Sequence, residues 1–198
     1  VEHRVKIKVK LYNLLINKYL FIWVQSLVAL AVVSCGGGGS VTELGGLSVQ
    51  FTPEEAAPAP NSVSLQDGGV LDDVATVDVQ ADAIALLAFR TSFTLRFDPA
   101  VIEFVGWEPG DFFEQRTTPA NVTYTILPPA VGSDRLDVEI VKSGTLAGSF
   151  EDGVLVKLQW RAIAAGASTL LFDSPRLADA NNIGAQNVSW FGGRLDGF

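Results

Sequence analysis

The side chains able to do nucleophilic or metal chemistry are few. Cys35 is the only cysteine and His3 the only histidine in 198 residues. A disulfide needs a second thiol, a zinc site needs several Cys or His ligands, and a Ser-His-Asp nucleophile needs a histidine within reach of the serine. Carboxylates are the remaining reactive class. Glu103, Glu139 and Glu151 are available as an acid and base pair, but their spacing sets no separation of the kind glycosidic cleavage requires. DANNIG at 179–184 begins like a calcium loop, yet Ile183 occupies the fifth position, where an oxygen ligand belongs, and Trp190 the twelfth, where a glutamate belongs. It reads as a turn. Asp67, Asp72 and Asp73 offer a structural calcium set without diagnostic spacing. The residues predict no enzyme, no catalytic group and no cofactor, calcium at those aspartates being the one exception carried forward.

Cys35 takes its meaning from its flanks. Arg4, Lys6, Lys8, Lys10 and Lys18 precede the apolar run YLFIWVQSLVALAVVS, which ends in small Ser34 and Cys35. A basic region, a short apolar region and a small-residue exit are the order of a secretory leader. The run resembles the bacterial lipoprotein signal, in which a Val-Val-Ser-Cys box like that at 32–35 is cut before a cysteine that becomes lipidated. The alternatives are a free Cys35 and a spanning helix. A span of about 20 residues beginning at Leu11 would bury Asn13, Asn17, Lys18 and Gln25. The expected organisation is a signal peptide at 1–34, a lipidated Cys35 with a Gly-rich tether at 35–45, and one domain at 46–198. Gly36 follows Cys35 where inner-membrane retention uses Asp, so an extracytoplasmic, lipid-anchored protein at the outer membrane or cell surface is expected.

Charge excludes another class. Five of the 14 basic and one of the 22 acidic side chains lie in 1–34, leaving nine basic and 21 acidic beyond it. That balance repels nucleic acid and offers no basic stripe for phosphates. About 150 residues beyond the tether suffice for one hydrophobic core without disulfides.

The elements that must position any site alternate with period two. In FRTSFTLRF, Phe89, Thr91, Phe93, Leu95 and Phe97 share one face, and Arg90, Ser92, Thr94 and Arg96 the other. The same alternation groups Val122, Tyr124 and Ile126; Leu136, Val138 and Ile140; and Val154, Val156, Leu158 and Trp160. Shorter strands are expected at 46–51, 62–66, 74–79, 101–105, 168–172 and 187–191, with turn formers such as Asp67-Gly68-Gly69, Asp98-Pro99 and Asp152-Gly153 between them. ADAIALLAF at 81–89 reads as a brief turn before a strand. Nine or ten such strands with no repeated blade signature predict an all-β fold of two packed sheets, with a closed barrel as the alternative.

Three segments carry a resemblance: FTLRFDPAVIEFVGWEPGDFF at 93–113, EDGVLVKLQWRAIA at 151–164 and LADANNIGAQNVSWFGGRL at 177–195. By their order and spacing over about 150 residues the chain resembles the cohesin domain, a module that docks dockerins of polysaccharide-degrading assemblies. The resemblance implies a nine-stranded β-sandwich of jelly-roll topology, related to carbohydrate-binding modules. Together with the leader and the missing catalytic side chains, it gives the expectation of a non-enzymatic, membrane-anchored protein-binding or scaffold module with a dockerin-like or divergent protein partner. In dockerin-binding cohesins the position of Arg90 is often Asn and that of Ser92 often Asp, on the solvent face of the third strand. A guanidinium only donates, so Arg90 cannot copy an amide that also accepts. The candidate protein-binding face is Arg90, Ser92, Thr94, Arg96, Asp137 and Glu139, against the alternative of an ordinary polar strand face. A rival carbohydrate-binding platform would use Trp107, Phe112, Phe113 and Trp190, whose rings flank turns; the third reading is a structural surface lipoprotein.

Overall fold

Alternating apolar residues commit most of this chain to strands, because each strand can bury one face only by lying against a second sheet. The computed structural model describes residues 47–114, 121–144, 148–185 and 187–198. These fall in one compact unit, Gly45–Phe198, which contains its own core. The leader, Cys35 and the tether lie outside the described residues.

Eleven strands are formed by the described residues: β1 (Val49–Pro53), β2 (Ser62–Leu71), β3 (Val74–Ala88), β4 (Arg90–Arg96), β5 (Ile102–Pro109), β6 (Val122–Leu127), β7 (Arg135–Lys142), β8 (Ser149–Ala162), β9 (Gly166–Ala178), β10 (Ser189–Phe191) and β11 (Gly193–Gly197). They make two sheets, ordered β1-β11-β9-β4-β7-β6 and β10-β2-β3-β8-β5. Every pairing is antiparallel except β10 with β2. The architecture is an all-β sandwich with open edges, which removes the closed barrel.

The strand count departs from the nine expected. The ten strand segments read from the sequence are all present, and β11 is added because GRLDG, with a glycine at each end and one apolar residue, carries almost no periodicity of its own. Leu195 is nonetheless fully buried, held between β1 and β9. The second correction concerns 81–88, which continues β3 rather than turning. Irregularities between Ala81 and Ile84 and between Ile84 and Ala88, with Ala83 at a φ of 43°, re-aim the strand while the Asp152 carboxylate accepts the Ala83 N–H at 2.6 Å.

Where the alternation is clean, burial follows it. Ala75, Val77, Val79 and Ala81 of β3 are fully buried, as are Val156, Leu158 and Trp160 of β8. Trp160 is the largest of them, with the rings of Phe97 and Phe104 set edge-on at 5.0 and 5.4 Å. At the far side Phe93 and Phe172, from β4 and β9, meet Trp190 of β10 across the sheets at 6.1 and 5.0 Å. A third cross-sheet contact joins the edge strands: Trp107 of β5 stacks on Tyr124 of β6 at 5.3 Å and 28°. The Tyr124 hydroxyl donates to the Gly110 carbonyl at 3.1 Å, and burial pushes its pKa up to about 12.

On the outer face of the five-stranded sheet Asp78 is the least solvated carboxylate. Burial raises its pKa above 3.8; Lys157 opposes this at 3.9 Å, and Asp67, Asp111 and Glu108 reinforce it. One of its oxygens is buried with no hydrogen-bond partner.

Two outcomes follow for stability. Trp160→Ala should lower the unfolding free energy by about 3–5 kcal/mol in urea denaturation, the range for emptying a large aromatic site. Asp78→Asn should act oppositely at neutral pH. Because the native state holds the Asp78 proton more tightly than the unfolded chain, that group's stabilising contribution is complete below pH 3.8 and lost as pH rises through the raised native value. The amide should therefore raise the urea midpoint at pH 7, and the advantage should vanish in titrations carried below pH 3.8.

Candidate functional site

Strand β7 lies beside β4, with Ser92 opposite Glu139, Thr94 opposite Asp137 and Arg96 opposite Arg135. All six candidate residues of the protein-binding face thus come together on the outer side of the six-stranded sheet. Two-residue periodicity places them there: Thr91, Phe93 and Leu95, together with Leu136, Val138 and Ile140, are buried on the inner side.

Charge on this face is internally matched. Arg90 meets the Glu139 carboxylate at 3.1 Å. Arg96 bridges Asp134 at 2.9 Å and Asp173 at 3.1 Å. Arg135 stands 4.0 Å from Asp137, which accepts the Thr94 hydroxyl at 2.5 Å. Arg176, opposite Ser92 on β9, donates to the Asn182 carbonyl. The carboxyl of Asp173 is held below 3.8 by the Ser174 hydroxyl first and then by Arg96. These side chains are about half exposed, so each pair adds little to folding; what they do is hold four guanidinium groups in fixed places. Thr94 is the exception to the solvent-facing expectation, being only 8% exposed.

Asp134, Arg135, Asp173 and Arg176 belong to the same face and escaped the sequence reading. Arg135 had a signal, since it shares period-two parity with Asp137 and Glu139. Asp173 had none: the register of β9 on β4 shifts between Ser92 and Thr94, and only that irregularity brings Asp173 opposite Thr94.

The aromatic platform does not form. Phe112 and Phe113 are fully buried, packed edge-to-face at 5.0 Å, because the Phe112 N–H donates to Val154 O and draws the turn after β5 into the sandwich. Trp190 is half-buried against Phe93 and Phe172. Trp107 retains 37% exposure, but its ring lies flat on Tyr124. On the outer side of the five-stranded sheet, a recess of about 520 Å³ is lined by Leu71, Val74, Val105, Glu108, Gln159 and Arg161 among others, and no aromatic ring lines it.

Two of the three calcium candidates, Asp67 and Asp73, have partners within the chain. Asp67 accepts the Gly69 N–H at 2.9 Å and Asp73 pairs with Arg161 at 3.0 Å. Among the described residues no group of three His, Cys, Asp or Glu is arranged to hold a metal ion. The 179–184 segment is a turn in which Asp179 accepts the N–H groups of Asn181 and Ile183 at 2.9 and 2.8 Å. No helix among the described residues is long and apolar enough to cross a membrane.

No protein-family model and no curated protein sequence matches the chain. Solved structures do. CaCohA2 of Clostridium acetobutylicum, in its complex with CaDoc0917, aligns with a TM-score of 0.51 at 16% identity over 74% of this chain and 97% of that one. A type II cohesin domain from the cellulosome of Acetivibrio cellulolyticus gives 0.50 at 10% identity, covering 75% and 94%. The third cohesin of ScaC from Acetivibrio cellulolyticus, in complex with the ScaB dockerin, gives 0.50 at 12% identity, covering 73% and 96%. At these identities the likeness is one of fold, and the sandwich of this chain is a cohesin-like fold.

Proposed function

We propose that the chain is a non-enzymatic binding module that docks a protein partner on the outer face of the six-stranded sheet. The observation that carries the reading is the array of three arginines, Arg90, Arg96 and Arg135, ion-paired with four carboxylates around β9, β4 and β7 and flanked by Arg176, on a fold whose solved neighbours include a cohesin bound to a dockerin. An array of fixed donors and acceptors selects a partner by position, since a mismatched partner leaves ions desolvated and unpaired. Arg90 is committed to Glu139, so the partner meets an ion pair where an amide would have offered both a donor and an acceptor. That supports a dockerin-like or divergent partner rather than an ordinary dockerin. The exchange of successive strands between the two sheets supports a jelly-roll reading of the sandwich.

The same proposal includes the expected anchor. The 1–34 leader and Cys35 would place the domain outside the cytoplasm on a lipid tether, presenting a scaffold site at the outer membrane or cell surface, with a link to polysaccharide-processing assemblies. Mass spectrometry of the mature N-terminus together with membrane fractionation checks this. A diacylated or triacylated Cys35 in the membrane fraction is the expected result, and an unmodified Cys35 in the soluble fraction removes the anchor.

Binding is tested with the Gly45–Phe198 unit immobilised and offered a dockerin panel, an extracytoplasmic protein extract and a polysaccharide panel in parallel. Arg90→Glu places two carboxylates together at the Glu139 position, and it should weaken a captured protein at least tenfold while the thermal unfolding midpoint stays unchanged. Trp107→Ala should leave that capture intact. Polysaccharide retention lost only with Trp107→Ala would replace the protein-docking reading with the carbohydrate one, and capture of neither class would leave a structural surface lipoprotein.

A further inference from the structure

A sheet edge that offers unpaired backbone groups is a template for another strand, and stable monomers blunt such edges with proline, charge, bulges or brevity. Three of the four edges here are blunted. Strand β1 ends in Pro53, which has no N–H to offer. Strand β5 carries Glu103, Glu108 and Pro109 and a register shift between Phe104 and Gly106, and β10 is three residues long. Strand β6, VTYTIL, has six residues in unbroken register with β7 and contains no charge, proline, glycine or bulge.

The hydrogen-bond phase of β6 is fixed at both strands. The Ser143 N–H donates to Asn121 O at 2.7 Å, whereas the Lys142 N–H points to the other side, donating to Phe89 O at 2.8 Å. Antiparallel ladders alternate, so Thr123, Thr125 and Leu127 share their bonds with β7. Val122, Tyr124 and Ile126 aim their N–H and C=O groups away from it. No partner for these groups is found among the described residues.

We infer that β6 is a self-association edge at which a second copy of this chain adds its own β6 antiparallel across a two-fold axis at Tyr124. The three outward residues are symmetric about Tyr124, so Val122 pairs with Ile126 of the partner subunit and Tyr124 with Tyr124 of the partner subunit. Each such pair exchanges two backbone hydrogen bonds, leaving none of the outward groups on 122, 124 and 126 unused. On the outer face Thr123 stands opposite Thr125 of the partner subunit, a favourable cross-strand pair, and the inner face brings two Trp107–Tyr124 stacks side by side. Charge favours this strand as the contact. The part of the chain beyond residue 34 is strongly acidic, so two copies repel wherever carboxylates meet, and β6 brings none of its own. In the adjoining strand Asp137 and Glu139 are already matched by Arg135 and Arg90. The contact is made by the edge of the sheet whose outer face is the proposed docking face, through backbone groups that face does not use, and it does not depend on what that face binds.

Sedimentation velocity of the Gly45–Phe198 unit tests the inference from about 10 µM to about 1 mM, a span that covers weak two-strand contacts. The wild type should pass from monomer to dimer. Thr123→Lys with Thr125→Lys opposes like charges twice across the axis and should weaken association at least tenfold. Thr123→Lys with Thr125→Glu instead sets an ammonium against a carboxylate at both crossings and should retain or tighten the dimer. Both positions are exposed, and a thermal unfolding midpoint near the wild-type value establishes that each variant folds. A wild type that stays monomeric throughout, including one that takes up only an unrelated extended peptide, overturns the inference. So does equal association by the two double variants.

Discussion

The dry contact between the two inner sheet faces is the constraint from which the remaining geometry follows. Apolar area is removed from water only if β3 and β8 turn Ala75, Val77, Val79, Val156, Leu158 and Trp160 toward β4 and β7, which turn Phe93, Leu95, Leu136, Val138 and Ile140 back. Each large aliphatic or aromatic side chain buried there contributes about 1.5–3 kcal/mol relative to exposure. A slip of one residue in β4 would drive Arg90 and Arg96 into that layer. Burial therefore selects a single register, and the register decides which polar residues stand together outside.

The outer faces inherit their order from this. Nothing in an exposed arginine makes it stand 3.1 Å from an exposed glutamate, and median surface ion pairs are worth little. Arg90 finds Glu139 because Thr91 and Ile140 are held beneath them by the core. The two outer surfaces differ in consequence. On the six-stranded face Arg90, Arg96 and Arg135 are each paired with carboxylates, whereas around Lys157 the five-stranded face collects Asp67, Asp78, Glu108 and Asp111 about a single ammonium. An acidic chain thus presents one electrically balanced sheet and one that concentrates negative charge.

Much of this was legible in the residues. Thr91, Phe93 and Leu95 against Arg90, Ser92 and Arg96 specified β4, its faces and its candidate surface, because period two is a direct image of the pleat. What escaped were features set by context rather than pattern. GRLDG has one apolar residue and becomes a strand only because β1 and β9 leave a slot for it. ADAIALLAF looks like a turn until bulges and the Asp152 carboxylate allow the strand to bend without ending. Phe112 and Phe113 follow a Pro-Gly pair and read as exposed turn rings, yet the Phe112 N–H to Val154 O bond pulls them inward. Asp173 reaches the candidate face through a shift in β9 that leaves no trace in composition.

Strand β11 is the last in the sandwich and sits inside its sheet, hydrogen-bonded on one side to β1, the first, and on the other to β9. The opening strand has no ladder to join until the closing one arrives, so this side of the six-stranded sheet is completed by the most distant segments in the unit. Such long-range closure is slow. During vectorial synthesis, β1 and the flank of β9 wait uncovered for Leu195. A chain interrupted before that residue leaves β1 without a ladder partner and one flank of β9 unpaired, two edges open to pairing with another strand.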